Sequence, residues 1–563
     1  MTDDVPSVGE LTPYHFHERE WESYEALRDE FEWEIPDRMN MAQYVCDRHA
    51  TDEDTAGLIY EDSHGREGQY TFAEMKAVTD RLANYLTGAG LARGDRVAIC
   101  VPQKPETALS HIAIWKTGGV SVPLSTLFGP DALRYRLDNS DAKMVIVDET
   151  NVENLREVKD DLDQLEEILV VGDTELESDE SSFWTALRES AAEFQPARTT
   201  AEDDAVIIYT SGTTGDPKGV VHAHRMLLGQ LPGFVCLFCN ARLEDDDVFW
   251  VVADWAWKGS LFDFVFPALF YGKPVLAYEE HGSFDPETAF TLVERHDLTS
   301  LYIPPTALRR MMNEVGDPEE RYDPRSVRVL GSGGEALGKT LPRWVEDVLG
   351  ATVHEGYGQT EASPLVGNCV EYFEYKRNIG KPLPGIELDV LDVNDRTSVS
   401  AGETGEIAVK SNSPNLFKSY WRNPEKTESK FYGDWMLTED LAVKTEDGYL
   451  DFVSRKDDVI ISSGYRIGPE EVEDAIAKHE AIADAGVIGV SDENRGNIVK
   501  AYVTVTKGYE PSDDLRRAVQ SFVKDNLARY KYPREIEFID ELPKSTTGKI
   551  RRSSLQEMEE KSR

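Results

Sequence analysis

Two glycine-rich segments carry the residues best suited to chemistry. The first, Tyr209-Thr-Ser-Gly-Thr-Thr-Gly-Asp-Pro-Lys-Gly219, follows an apolar run with the signature of a strand. Gly212, Gly215 and Gly219 leave backbone N–H groups able to approach an oxyanion closely. The hydroxyls of Thr210, Ser211, Thr213 and Thr214, with the ammonium of Lys218, add donors and positive charge. By residue type this is an anion cradle, although the same composition also describes an ordinary turn. The second segment, Gly333-Gly-Glu-Ala-Leu-Gly-Lys-Thr340, satisfies the G-x-x-x-x-G-K-S/T spacing of a P-loop, with Lys339 as its phosphate lysine. Against that reading, Glu335 places a carboxylate inside a loop meant for phosphate, and Pro342 follows almost at once.

Other candidate ligands are less well placed. Cys236 and Cys239 form a C-x-x-C inside the apolar stretch 231–238 with no second pair, so buried thiols are expected rather than zinc. His15-x-His17 and His222-x-His224 have no further ligands at metal spacing and read as solvent or core histidines.

Elements must hold these segments in place. From about Arg96 to Glu361, short apolar runs such as 96–101, 144–147, 205–209, 273–278 and 327–330 alternate with helix-length amphipathic stretches. That alternation predicts an α/β fold whose large N-terminal domain has mainly parallel sheets flanked by helices. From about Ile379 to Val453 the pattern changes to short strands separated by Gly, Pro and Asp turns, a small β-rich subdomain. After Arg455-Lys-Asp-Asp458 it changes again: helix 469–479, strands 485–490 and 498–505, helix 513–527 and strand 535–539. The expected organisation is a large domain over 1–455 and a small mobile α+β domain over 456–563, joined at that charged hinge. The acidic stretch Glu175 to Ser182 reads as a solvated loop, and no internal repeat is evident.

Composition narrows the functional classes. The 563 residues exceed the usual size of one hydrophobic core and allow a large site. A formal charge of −45, spread along the chain, excludes a nucleic-acid binder, which needs concentrated positive charge. So large a charge strains the compact state unless salt screens it, and predicts a protein adapted to a salt-rich cytoplasm, that of a halophile. There is no apolar run long enough to span a membrane, and the start, Met1-Thr-Asp-Asp-Val, lacks a secretory pattern, so the cytoplasm is the expected compartment.

The cradle at Tyr209 to Gly219 resembles the signature loop of the adenylate-forming (AMP-binding) superfamily. Further segments agree in the same order: Gly333-Gly-Glu-Ala336, Glu355-Gly-Tyr-Gly-Gln-Thr-Glu361, Asp434-Trp-Met-Leu-Thr-Glu-Asp440, Ser454-Arg-Lys-Asp-Asp458, Ser462-Ser-Gly-Tyr-Arg-Ile-Gly468 and Pro543-Lys-Ser-Thr-Thr-Gly-Lys549. Through Ser463-Gly-Tyr-Arg-Ile-Gly-Pro469 and Tyr530-Lys-Tyr-Pro533 the chain is most similar to the medium-chain acyl-CoA synthetases. The resemblance decides against the P-loop reading. It implies that a carboxylic acid and ATP give acyl-AMP and pyrophosphate, and that coenzyme A then takes the acyl group and releases AMP. The implied partners are a small carboxylic acid, ATP and coenzyme A, with Mg²⁺ as cofactor, no nucleic acid and no membrane span; homo-oligomerisation is left open.

The same resemblance assigns roles. Thr210, Ser211, Gly212, Thr213, Thr214, Gly215 and Lys218 hold phosphates; Gly334, Glu335, Ala336, Glu355, Gly356, Tyr357, Gly358 and Gln359 surround the nucleotide. Thr360 meets the α-phosphate, and Glu361 holds Mg²⁺, a hard cation that prefers such oxygens. Asp440 accepts from the ribose hydroxyls, with Arg455 in support. Lys549 bridges the acid's carboxylate and the α-phosphate, where negative charge gathers. Asp457 is the implied hinge for a rotation between the two half-reactions, which brings Ser463, Gly464, Tyr465 and Arg466 to the pantetheine arm.

Acetyl-specific relatives carry a tryptophan where this chain has Gly358. Its absence favours acids longer than acetate, or aryl acids, each buried methylene contributing about 0.8 kcal/mol. Trp257 is expected at that pocket, with Trp255, Leu261 and Val366 as further candidates; 255–258 departs from the Gly-Trp pair common in relatives. Remaining alternatives are an acetyl, propionyl or aryl substrate, delivery to a carrier protein, and a silent acyl-binding protein.

Overall fold

A computed structural model describes residues 11–51, 54–210, 216–334, 337, 340–376, 378–462, 465–492, 496–527, 531–544 and 549–562. The chain divides into two compact units, Met1–Glu387 with Ser411–Asp434, and Leu388–Lys410 with Trp435–Arg563. The sequence places a boundary at 455/456; by compactness the β-rich segment within 388–455 groups with the C-terminal part.

The first unit holds mainly parallel sheets, as the alternating pattern predicts, and there are two of them. Strand order in the first is Ser419–Tyr420, Lys218–Ala223, Asp204–Thr210, Val120–Pro123, Arg96–Cys100, Ala142–Asp148, Glu167–Val171, Glu180–Ser182. Its strands pair in parallel from Asp204–Thr210 outward to Glu180–Ser182, while Lys218–Ala223 turns back antiparallel on Asp204–Thr210. The second runs Lys381–Pro382, Ala362–Gly367, Thr352–Gln359, Val329–Gly333, Ser300–Tyr302, Phe249–Val251, Val275–Glu279, Ala56–Asp62, Glu67–Thr71. Residues Val206 to Tyr209 are all buried, as expected of a strand covered on both faces. Periodicity marks each strand but carries no record of which sheet receives it.

Every residue of the helix Met226–Cys239 is buried. Its glycines are there for close approach: a Cβ on Gly233 would lie 2.0 Å from Pro364 Cγ, and one on Gly229 would lie 2.4 Å from the Asn415 nitrogen. Cys236 and Cys239 face this apolar interior, and burial pushes both thiols well above their usual range. The acidic stretch is an exposed loop over 175–179, as expected, and departs from that expectation only at its end. Glu180–Ser182 is an edge strand, and the Glu180 carboxylate is buried against Arg156, which donates to it at 2.8 and 2.6 Å. A nearby arginine neutralises a charge that composition alone assigns to solvent.

In the second unit, Leu388–Leu391, Thr404–Lys410, Trp435–Lys444 and Leu450–Arg455 pair antiparallel. A further sheet contains Tyr465–Ile467, Ile460–Ser462, Gly496–Val505, Ile482–Asp492 and Glu535–Phe538, with helices Pro469–Ile476, Asp513–Asn526 and Arg552–Ser562. Among the described residues, no helix is long and apolar enough to cross a membrane.

Candidate active site

The glycine-rich cradle is the connection of a hairpin. Thr210 ends one strand and stands opposite Lys218, which begins the next. Sheet pairing therefore fixes both ends of the cradle, while Ser211, Gly212, Thr213, Thr214 and Gly215 lie outside the described residues. The returning strand is extended by Ser419–Tyr420, paired antiparallel with Val221 and Val220. Tyr420 thereby sits beside Lys218, whose ammonium is 5.9 Å from the ring centroid.

Tyr420 also joins the two sheets. Its hydroxyl donates to Glu361 Oε1 at 2.5 Å, and the Phe417 N–H donates to the Glu361 carbonyl at 2.7 Å. Glu361 lies in the turn between Thr352–Gln359 and Ala362–Gly367, where Gln359 faces Ala362. The residue before it is held from the other side: His222, on the Lys218–Ala223 strand, contacts the Thr360 carbonyl through Nε2 at 2.8 Å. Complete burial, reinforced by the nearby Lys258 ammonium, holds His222 far below the ordinary imidazole range, so it is neutral and Nε2–H is the donor. Lys258 is itself buried and binds Asp263 Oδ1 at 3.3 Å, the Ser363 carbonyl at 3.1 Å and the Ser363 hydroxyl. Burial lowers its proton affinity, opposed by Asp263 and Glu361.

Strand pairing brings two more predicted segments together. Gly333 stands opposite Gly356 in the parallel pair Val329–Gly333 and Thr352–Gln359. A Cβ on Gly333 would lie 2.8 Å from the Gly356 oxygen, and Gly334 has φ +86°, a conformation that favours glycine. Glu355 is held through its carbonyl by Asn368 and through its carboxylate by Tyr375, which donates at 3.2 Å; Tyr357 faces Val366. Glu335, Ala336 and the alternative Lys339 lie outside the described residues. Gly358 has a packing reason of its own: its Cβ would meet Ser363 Cβ at 2.4 Å and Cα at 2.9 Å. In the hairpin as it stands, a side chain at 358 would run into the returning arm. Trp255, Leu261 and Val366 are core residues, while half-buried Trp257 packs edge-on against Phe128, centroids 6.4 Å apart.

In the second unit, Asp440 stands opposite Arg455, with 3.8 Å between Oδ1 and Nε. Beneath them the buried Glu406 accepts from Arg396 Nη1 at 2.5 Å, from the Glu439 N–H at 3.1 Å and from Lys456 Nζ at 3.2 Å. Asp457 follows in a turn where the Asp458 N–H donates to the Arg455 carbonyl at 3.1 Å. Ser462 faces Tyr465 and Ile461 faces Arg466; Ser463 and Gly464 lie outside the described residues, and only the backbone of Tyr465 and Arg466 is described. Lys549 is exposed, next to the bridge between Lys544 and Ile550.

Over residues 44–421 the chain matches the model of the AMP-binding enzyme family, and over 471–549 that of the AMP-binding enzyme C-terminal domain. The chain belongs to the AMP-binding enzyme family. This AMP-binding enzyme is similar to the acetyl-coenzyme A synthetase of Bacillus subtilis (strain 168), 35% identical over 93% of this chain and 91% of the relative. It is also similar to the mitochondrial acyl-coenzyme A synthetase ACSM3 of Rattus norvegicus, 34% identical over 95% and 93%. Among solved structures it resembles the anthranilate CoA ligase AuaEII in complex with anthranoyl-AMP, with a TM-score of 0.84, 27% identity and coverage of 94% and 98%. It is an AMP-forming acid–thiol ligase that uses ATP, Mg²⁺ and coenzyme A. The residues fit the metal: a buried carboxylate, Glu361, is a hard ligand for a hard cation. His222, Lys258 and Tyr420 escaped the sequence reading as site residues, because each acts by contacts across strands that no motif spacing records.

Proposed function

We propose that this ligase activates an acid longer than acetate, with Lys218 acting on the β- and γ-phosphates of ATP and Lys549 on its α-phosphate. One observation carries the assignment on the fixed side: Tyr420 links the cradle lysine to the buried Glu361 through a ring 5.9 Å from Lys218 and a hydroxyl 2.5 Å from the carboxylate. The difficulty in the first half-reaction is to bring an anionic carboxylate against a polyanion. Backbone donors of the cradle and Lys218 offset that repulsion, and Thr360 orients the α-phosphate beneath the incoming oxygen. Glu361 would hold Mg²⁺, which supplies further charge neutralisation at the phosphates. Lys549 stabilises the charge that builds as the acyl oxygen displaces pyrophosphate. Asp440 and Arg455 retain the ribose. A turn at Asp457 then withdraws Lys549 and brings 463–466 to the thiol, which attacks the acyl-adenylate and expels AMP. On this reading the moving part begins at 456, as the sequence boundary has it.

The reading on acid length is supported by 463–469 and 530–533; an acetyl, propionyl or aryl acid is the alternative. The compartment that fits a charge of −45 is a salt-rich cytoplasm. AMP release measured across acids of two to ten carbons, with and without coenzyme A, in molar KCl, tests these points. A maximum at acetate overturns the acid class, and undiminished activity without salt overturns the compartment.

A further inference from the structure

The Lys549 segment is fastened at its base by an arginine the mechanism does not use. Arg552, three residues on, opens the helix Arg552–Ser562. Its guanidinium, with the side chain 15% exposed, meets three carboxylates from two other segments of the second unit: Asp458 Oδ2 at 3.3 Å, Glu470 Oε1 at 2.8 Å, and Glu473 Oε2 at 2.6 Å. Asp458 directly follows the hinge residue Asp457. Glu470 and Glu473 lie on the helix Pro469–Ile476, which starts just after the segment 463–466 assigned to coenzyme A. Glu473 Oε1 also accepts the Val487 N–H at 2.7 Å, which ties the cluster to the central strand pair.

The neighbouring chain adds bonds that do not depend on charge alone. The Arg551 N–H donates to the Pro543 carbonyl at 2.7 Å, and Lys544 Nζ pairs with Asp484 Oδ2 at 2.7 Å. Burial raises Glu470, to about 7, and also Glu473, so one guanidinium does not face three full charges at neutral pH. A planar guanidinium, with five N–H donors in a fixed fork, holds its carboxylates in one set geometry, whereas a lysine ammonium acts as a point charge on a flexible stem.

We infer that Arg552 is a positioning residue that locks the Lys549 segment, the residue after the hinge and the helix behind the coenzyme A segment into one body, so that a single turn at Asp457 moves both working ends together. The inference rests on the proposed alternation and deepens it. Its signature is a defect in both half-reactions from one residue that touches neither reacting centre. Lys549→Ala, by contrast, is expected to damage only the first.

The test uses the full chain as Arg552→Gln, Arg552→Lys and Asp458→Asn. Carboxylate-dependent pyrophosphate exchange reports the first half-reaction, and thioester formation from supplied acyl-adenylate reports the second. For Arg552→Gln, kcat should fall at least about tenfold in both, with KM for ATP and acid unchanged. Arg552→Lys should recover part of each, and Asp458→Asn should lower both by a smaller factor. The burst of acyl-adenylate per chain should stay at the wild-type amplitude, which a loss of folded protein would reduce. A defect confined to pyrophosphate exchange in Arg552→Gln, or in Asp458→Asn if the arginine variant does not fold, overturns the inference; so does no defect in either half-reaction. If Lys549→Ala itself leaves exchange intact, the assigned role of Lys549 fails, separately from the role of Arg552.

Discussion

The two lysines assigned to the triphosphate are built in opposite ways. Lys218 begins a strand, is paired in register with Thr210, and neighbours a tyrosine itself held in the same sheet. Lys549 is exposed, beside an isolated bridge, and its support is a set of ion pairs one helical turn further along the chain. A residue that must stay put is fastened by backbone hydrogen bonds, which cannot change partner without unfolding a sheet. On the proposed alternation Lys549 travels, and it is fastened through side-chain charges within its own unit. The difference accords with the chemistry, since the phosphates need a constant floor while the charge over the α-phosphate is needed in one half-reaction only.

The largest expected effect removes the travelling lysine. Lys549→Ala should lower carboxylate-dependent pyrophosphate exchange by about 10²–10³-fold or more, leaving thioester formation from supplied acyl-adenylate near the wild-type rate. Equal loss in both assays would erase the contrast with Lys218. Retained turnover there, with loss of ATP turnover in Lys339→Ala instead, would restore the P-loop reading.

On the fixed side, Gly358→Ala forces a Cβ to 2.4 Å from Ser363 Cβ. The backbone of the hairpin must shift, and stability should fall by about 1–3 kcal/mol in urea unfolding. Unchanged stability would mean that the turn holding Thr360 and Glu361 is softer than its packing indicates.

The first unit also stores neutral imidazoles. Burial depresses His354 to about 4, and its Nδ1 lies 3.1 Å from the Cys236 carbonyl. Between pH 6.5 and about 4 the unfolded chain binds a proton there that the folded chain refuses, so this contribution is complete above 6.5 and is lost as pH falls. The expected slope is about 1.4 kcal/mol per pH unit, and His354→Gln should remove that share of the acid sensitivity measured by urea unfolding at pH 7 and pH 5.

The smallest chemical change is Tyr420→Phe, which deletes one oxygen and with it one donor to a buried carboxylate. Loss of a hydrogen bond to a charged group costs about 1.5–3 kcal/mol where it is fully realised, so pyrophosphate exchange should fall about tenfold while the Mg²⁺ concentration at half-maximal rate shifts. No shift with Mg²⁺ would separate Tyr420 from Glu361's function.

Much of this was legible in residue order. The apolar run 205–209 lies within a strand and 327–330 leads into the strand Val329–Gly333, and the predicted C-terminal helices and strands fall within a few residues of their expected ends, because buried strands and amphipathic helices leave local patterns. The partition into two sheets left no such trace: 96–100 and 329–333 look alike as runs and belong to different sheets. Tyr420 and His222 escaped for a related reason. One reaches Glu361 over 59 positions and the other Thr360 over 138, and no spacing rule encodes contacts of that span. Gly358 was legible as a glycine but its close contact was not, since the neighbour a Cβ would meet is only five residues away yet on the returning arm.

The wholly buried helix Met226–Cys239 bears on how such a protein can change its sequence. Pro364, three residues after Glu361, fits into the notch left by Gly233, and Gly356 and Gly367, paired on adjacent strands, both rest on Leu237. Substitutions that reshape the catalytic turn are therefore felt by a segment more than a hundred residues earlier. Replacements that enlarge Gly233, Gly356 or Gly367 should be tolerated only together with a compensating change on the facing element.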